Sequence, residues 1–149
     1  MKSIATKMTI GFLFAAASGA AGSIVLAAPP AAPATAPAAT APAITRTEIL
    51  NTPLEGLKGL DGIMYITDVP PGLAAPRHSH PGYEFNYVLK GSVVIQPDGG
   101  EPFTLKAGQS TYNVRNHVHK VRNASTTEPA QILAVLIHDM GKPLAVPAP

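Results

Sequence analysis

The chain has 149 residues and a mass of 15.4 kDa, enough for one domain of ordinary size. It contains no cysteine, which excludes disulfide cross-links and lipidation of a cysteine. Its formal net charge is +2, but setting aside Lys2 and Lys7 leaves nine basic residues against nine acidic ones, and a neutral domain lacks the clustered positive charge that binds nucleic acid.

The N-terminal segment is typical of a signal peptide. Two lysines are followed by the apolar run 8–17 and then by small residues. We predict a signal peptide over residues 1–27, cleaved after Ala27 or, as second choice, after Ala20, which leaves no membrane-inserted segment in the mature protein. An uncleaved anchor is the alternative, because residues 8–28 just reach the roughly 20 apolar residues that span a membrane. Either way the rest of the chain is exported, and we expect it to be periplasmic or secreted.

Residues 28–43 contain only alanine, proline and threonine, which predicts an extended linker. We expect the folded domain over residues 44–149. Within it, short apolar or alternating runs are separated by proline and glycine, and no helical periodicity is sustained. This predicts an all-β barrel or jelly roll. The nine predicted strands are Thr47–Leu50, Ile63–Val69, Arg77–His80, Tyr83–Leu89, Ser92–Gln96, Glu101–Leu105, Ser110–Val114, Val118–Arg122 and Gln131–His138.

One hairpin is predicted from its turn alone. The sequence Asp98-Gly99-Gly100 lies between two apolar runs, and such a turn favours antiparallel pairing of the strands on either side. We therefore expect the strand that begins at Ser92 to pair with the strand that ends at Leu105.

Four potential metal ligands stand out among the titratable residues. His78 and His80 are two residues apart, so on a strand both imidazoles lie on the same face. Glu84 follows across a Pro-Gly turn, and His119 can join from a distant strand. Two imidazoles and a carboxylate on one side of an ion leave other coordination positions open. The spacing predicts a site for one divalent transition metal such as Fe, Mn, Ni or Zn.

At these positions the chain resembles the cupin superfamily. The first cupin motif consists of glycine, five residues, His-x-His, three residues, glutamate, six residues and glycine. All five motif positions occur here at those spacings. They are Gly72, His78, His80, Glu84 and Gly91.

The second cupin motif is matched in part. Gly108, His119 and Asn123 fit, but Val114 stands where the motif has proline and Asn116 where it has glycine. Asparagine is the mildest replacement for glycine in a turn, because it tolerates the left-handed conformation better than most residues.

The resemblance covers residues 63–137 and implies a double-stranded β-helix barrel with a metal at one end. It implies that the ligands are His78, His80, Glu84 and His119, with Glu84 able to act as a base when it leaves the metal. It also implies a small-molecule substrate or ligand, and homodimers formed through sheet edges.

Several other polar and aromatic residues are weaker candidates. His117 shares strand parity with His119 and is a possible extra ligand or proton shuttle, although an exposed loop residue is the commoner outcome. Asn86 should face the same interior as Glu84. Tyr112 is a candidate for lining the pocket, whereas the other aromatic residues are expected to pack. His138 is expected at the surface, at the end of a strand.

Three functions remain open from the sequence. The first is a metal-dependent enzyme of the dioxygenase type, or a variant that uses the ion as a Lewis acid in isomerase or lyase chemistry. The second is a binding module that holds a small molecule on the metal without turnover. The third is a metal that only stabilises the barrel, which open coordination positions make the weakest of the three.

Overall fold

The computed structural model describes residues 41–149, and these form ten β-strands and no α-helix. The predicted all-β class is therefore confirmed for this part of the chain. The predicted signal peptide and most of the predicted linker lie outside the described residues; within 41–149 no helix is long and apolar enough to cross a membrane. The strands are β1 (Thr45–Pro53), β2 (Leu60–Val69), β3 (His78–Ser79), β4 (Gly82–Lys90), β5 (Ser92–Pro97), β6 (Phe103–Lys106), β7 (Ser110–Asn113), β8 (His119–Asn123), β9 (Ala130–Asp139) and β10 (Val146–Pro147).

The strands form two five-stranded sheets in which every pair of neighbours is antiparallel. One sheet has the order β1-β2-β9-β4-β7, and the other has the order β10-β3-β8-β5-β6. Strands of both sheets contribute to one apolar cluster, because Val69, Val88 and Ile132 of the first sheet pack with Val93 and Ile95 of the second. The two sheets therefore enclose a common interior, as expected for a jelly roll.

The alternation along β4 places polar, potentially reactive side chains on the inner face of the first sheet. Its residues alternate between buried and exposed, so Glu84, Asn86 and Val88 face the interior, while Tyr83 and Phe85 face outward. Strand β9 alternates in the same way along its ten residues. The interior therefore changes from apolar at Val88 to polar at Glu84 along a single strand.

All nine predicted strands are present within a few residues of their predicted bounds. The hairpin is also confirmed, because β5 pairs with β6 and Ile95 lies opposite Phe103. The sequence did not reveal β10, a two-residue strand that pairs with β3 near the candidate ligands. Two residues are too few to produce a periodic pattern, and only the contact with β3 defines this strand.

Candidate metal centre

Strand pairing brings the three histidines together. His78 on β3 lies directly opposite His119 on β8, and His80 comes two residues after His78. Their ring centroids are 5.0 Å apart for His78 and His80, 4.6 Å for His78 and His119, and 5.4 Å for His80 and His119. All three side chains are buried. Ring nitrogens of the three residues lie within 4.8 Å of one another, so this cluster can hold a metal ion.

Backbone carbonyls fix the tautomer of each ring. In His78, Nδ1 lies 2.8 Å from the carbonyl oxygen of Pro76. In His80, Nδ1 lies 2.6 Å from the carbonyl oxygen of Leu144. In His119, Nδ1 lies 3.2 Å from the carbonyl oxygen of His117. A carbonyl oxygen can only accept a hydrogen bond, so in the neutral form of each ring Nδ1 carries the proton and Nε2 keeps its lone pair. This is the arrangement in which imidazoles bind metals through Nε2.

The surroundings of Nε2 of His80 indicate whether these residues can bind a metal. It is buried and has no hydrogen-bond partner, the only such side-chain atom among the described residues. A buried nitrogen lone pair without a donor is unfavourable unless a ligand satisfies it. Coordination of a divalent metal would do so, and therefore the donor set fits the cofactor that the fold implies.

Burial keeps His78 and His119 neutral. Loss of solvation lowers the pKa of His78 and of His119 below the ordinary value of 6.5, although nearby carbonyl groups and Glu84 oppose the shift. A neutral imidazole is the form that binds a metal, so burial favours metal binding at neutral pH.

Glu84 lies next to two of the three histidines. Its Oε1 is 3.3 Å from Nε2 of His80, and its Oε2 is 3.6 Å from Nε2 of His119. The group of ligand atoms within 4.8 Å of one another contains the three histidines and not Glu84. The structure therefore brings three of the predicted ligands together and places the fourth beside them.

Three side chains donate hydrogen bonds to the Glu84 carboxylate. Tyr65 donates to Oε1 across 2.7 Å, while Asn86 and Asn113 donate to Oε2 across 3.0 Å and 2.8 Å. Burial acts to raise the pKa of Glu84, but His80 and these three donors outweigh it and lower that pKa below its ordinary value. Glu84 is consequently an ionised carboxylate inside the barrel.

Close backbone packing sets the direction of Glu84. A Cβ on Gly82 would lie 2.4 Å from the carbonyl oxygen of Ile137, which no side chain could occupy without moving β9. The absence of a side chain lets β4 pair with β9 from its first residue, where Gly82 lies opposite His138. The regular pairing then turns Glu84, two residues later, to the interior.

The turn before His119 keeps its conformation despite the unusual residues. Asn116, at the glycine position of the second motif, has φ of +59°, and no other non-glycine residue in the described range has a positive φ. Its backbone N–H donates to the carbonyl oxygen of His80 across 2.8 Å. The expectation that asparagine replaces glycine in a left-handed turn is therefore confirmed.

Two of the weaker candidates are located as expected. Asn86 faces the interior and binds Glu84. His117 is an exposed loop residue outside the histidine cluster, so its side chain is not placed as a further ligand.

Tyr112, a candidate for the pocket lining, does not line the interior: 61% of its surface is exposed on the outer face of the sheet, and it stacks on Phe85. One expectation about orientation is wrong. His138 is not at the surface: it is buried on the inner face of β9, with Nε2 3.2 Å from the carbonyl oxygen of Pro143. The chain beyond β9 folds back over this residue, which strand periodicity could not reveal.

The sequence did not indicate that Tyr65, Asn113 and the carbonyl of Leu144 contact the predicted ligands. Tyr65 was expected only to pack, but its hydroxyl binds Glu84, and loss of solvation is the main cause that raises its pKa. Asn113 pairs with Glu84 across β7 and β4. The inward parity of both residues was visible in the sequence, but the strand order that brings them to Glu84 was not.

A small pocket opens beside this cluster. It is lined by His78, His119, Glu84 and Tyr65 and continues to Arg46 on β1. Its enclosed free volume is about 30 Å³, and it opens to solvent beside the exposed Arg46. The site as it stands therefore accommodates a small group rather than a large one.

One family model matches the central part of the chain. Residues 65–136 match the family model of the cupin domain (Cupin_2). This segment contains every residue of the cluster described above, from Tyr65 through His119. No curated protein matches the chain.

Solved structures support the same fold. An uncharacterised protein with a double-stranded β-helix domain from Klebsiella pneumoniae is 20% identical, with a TM-score of 0.60 over 74% of this chain and 89% of that one. A cupin-like protein from Thermotoga maritima is 22% identical, with a TM-score of 0.58 over 70% and 75%. The DMSP lyase DddQ from Ruegeria pomeroyi is 21% identical, with a TM-score of 0.58 over 70% of this chain and 51% of the lyase, so the match spans about half of that enzyme.

Proposed function

We propose that this chain is an exported enzyme with a single cupin domain, since residues 65–136 match the model of that domain. In this proposal it holds one divalent transition metal and acts on a small molecule. The observation that carries this proposal is that one ring nitrogen from each of three buried histidines lies within 4.8 Å of the others. In addition, Nε2 of His80 is buried without a hydrogen-bond partner. The signal peptide, cleavage after Ala27, and a periplasmic or secreted location belong to the proposal. They rest on the sequence of residues 1–27.

His78, His80 and His119 would hold the metal, with Glu84 as the fourth ligand. The distances of 3.3 Å and 3.6 Å from Glu84 to two Nε2 atoms support this assignment, because small side-chain movements bring such groups within coordination distance. Imidazole and carboxylate ligands suit Fe, Mn, Ni or Zn.

When bound, such an ion supplies either redox chemistry toward dioxygen or Lewis-acid polarisation of an oxygen on the substrate. The residues of the chain would provide three other functions. The apolar walls exclude water, Asn86 and Asn113 orient Glu84, and Glu84 accepts a proton when it is not a ligand. We propose dioxygenase-like chemistry as the main function.

Lyase or isomerase chemistry is the second candidate. It is favoured by the hydrogen-bonded pair of Tyr65 and Glu84 beside the histidines, because such reactions require a group that removes a proton from carbon. A binding module without turnover is the third candidate, and it needs no such pair.

One experiment separates these functions. The exported protein is loaded with iron or manganese, and oxygen uptake is measured with catechols, small diketones and hydroxy acids, while product formation is followed by mass spectrometry. Oxygen uptake supports the dioxygenase. Turnover without oxygen uptake supports the lyase or isomerase, and binding without either supports the third candidate. A protein that takes up no metal contradicts all three.

We also propose that the domain forms a homodimer, as the resemblance to cupins implies. Size-exclusion chromatography with light scattering tests this assignment. A mass of twice one chain is the expected result, and the mass of a single chain at micromolar concentration contradicts it.

A further inference from the structure

Among the described residues, one cationic side chain lines the pocket beside the histidines. It is Arg46 on β1, which is also exposed to solvent, so it lies where the pocket opens. Apart from the histidines, Glu84 is the other charged side chain in the described part of the lining. Glu84 already accepts three hydrogen bonds from uncharged side chains, and it lies at the histidine end. Within residues 41–149 no carboxylate lies within ion-pair distance of Arg46.

The register of β1 directs Arg46 towards the pocket. Arg46 lies opposite Thr67 on β2, and both residues line the pocket. Its guanidinium group lies over the ring of Tyr65, 5.7 Å from the ring centroid. The contact is a cation–π interaction, and Arg46 also acts on the Tyr65 hydroxyl as a hydrogen-bond donor. A guanidinium has five N–H donors, so the others remain available to a ligand that enters from solvent.

The nearest acidic residue on β1, Glu48, does not form an ion pair with Arg46. Glu48 lies opposite Tyr65, two residues beyond Arg46, so it shares the strand face. Its carboxylate accepts a hydrogen bond from Asn51, and it does not line the pocket. Asp68 on the neighbouring strand is bound by Gln131.

The walls between Arg46 and the histidines are mostly apolar. They are formed by Ile44, Val69, Ala75, Val121 and Ile132. A ligand that fills this space has a short hydrocarbon part, because polar atoms there would lose hydrogen bonds to water. The small free volume, about 30 Å³, also requires a short molecule.

We infer that the substrate or ligand of this site is a small carboxylic acid, whose carboxylate binds Arg46 while its other polar end lies at the histidine cluster. A guanidinium presents a planar fork that matches a carboxylate. A phosphate group would carry more charge and usually requires several donors, whereas this pocket offers one cation. The inference rests on the proposed function, since it assigns the substrate class of the same site.

The test uses the full chain loaded with cobalt(II), with short thiols as probes. The probes are mercaptoacetate, 3-mercaptopropionate and 4-mercaptobutyrate, each compared with its primary amide. The thiol end binds the metal and produces a charge-transfer absorption band, while the other end carries either a carboxylate or a neutral group of similar size. The ratio of the two affinities at each chain length measures what the negative charge contributes.

The expected result is that one chain length binds as the acid about tenfold more tightly than as the amide. The variant Arg46→Gln should lose this preference, and Arg46→Lys should keep part of it. Arg122→Gln removes an exposed arginine outside the pocket and should leave the preference unchanged. Circular dichroism checks that each variant folds.

Equal affinity for acid and amide at every length in the unmodified protein would overturn the inference, and so would an undiminished preference in Arg46→Gln. A failure of the proposed function is distinguishable, because the protein would then bind no cobalt. In that case calorimetry with butyrate and butyramide on the metal-free protein measures the preference for the acid directly, and equal affinities overturn the inference.

Discussion

The hydroxyl of Tyr65 donates a hydrogen bond to Oε1 of Glu84 across 2.7 Å in the barrel interior. The two residues lie on β2 and β4, which do not pair with each other but both pair with β9. Tyr65 lies opposite Ala134, a small residue, and the next inward residue of β4 after Glu84 lies opposite the same alanine. The tyrosine side chain can therefore reach over β9 to the carboxylate.

We expect Tyr65→Phe to destabilise the metal-free protein by about 1–3 kcal/mol, because Glu84 is buried and would lose one donor to its charge. Urea unfolding measures the change. Tyr112→Phe is the matched control, since that hydroxyl is exposed and its loss should change stability by less than about 0.5 kcal/mol. Equal stability of the two variants would contradict the role assigned to Tyr65.

The left-handed turn at Asn116 leads to a second prediction. Asn116→Gly should leave stability within about 0.5 kcal/mol, because glycine adopts this conformation freely, whereas Asn116→Val should cost about 1–2 kcal/mol. The valine variant should also bind metal more weakly, since this turn carries the chain to His119. Thermal unfolding and metal titration check both effects, and a valine variant as stable as the glycine variant would refute the account of the turn.

Acid should destabilise the metal-free protein in two stages. The pKa of His78 and of His119 is below 6.5 in the folded protein, chiefly because of burial, so the unfolded chain binds more protons as the pH falls below about 6.5. Stability should then decrease with falling pH. The pKa of Glu84 is lowered as well, so its contribution is present above 4.5 and is lost as the pH falls through its folded-state value.

Melting temperatures of the metal-free protein at pH 7.5, 6.5 and 5.5 measure the first stage. His119→Gln should weaken the dependence on pH, while His117→Gln, at an exposed loop position, should keep it. A melting temperature that does not change between pH 7.5 and 5.5 would show that the buried histidines do not resist protonation.

The C-terminal segment positions a candidate ligand. Leu144 accepts the hydrogen bond from Nδ1 of His80, and β10 pairs with β3. A chain that ends at Lys142 should bind metal about 10–100-fold more weakly, as loss of an outer hydrogen-bond partner does in other metal sites. A chain that ends at Pro147 keeps both contacts and should bind normally. Unchanged affinity in the shorter chain would mean that Leu144 does not position His80.

Local spacing predicted the β class and the shared face of His78 and His80, whereas the barrel topology and His119 as a ligand were implied by the resemblance to the cupin motifs. The two-residue interval from His78 to His80, and the turn to Glu84, determine which side chains share the interior. It could not predict Tyr65, because the strand order that brings β2 near Glu84 is a property of the whole sheet. It also misplaced His138, since burial on one face depends on what packs there and not on alternation alone.

The central claim is that His78, His80 and His119 hold one divalent metal. Elemental analysis of the purified protein after exposure to Mn, Fe, Ni and Zn tests it most directly. We expect about one metal ion per chain, less than a tenth of that in His78→Ala and in His119→Ala, and an unchanged content in His117→Ala. Negligible metal in the unmodified protein, or full metal content in His78→Ala and His119→Ala, would contradict the claim.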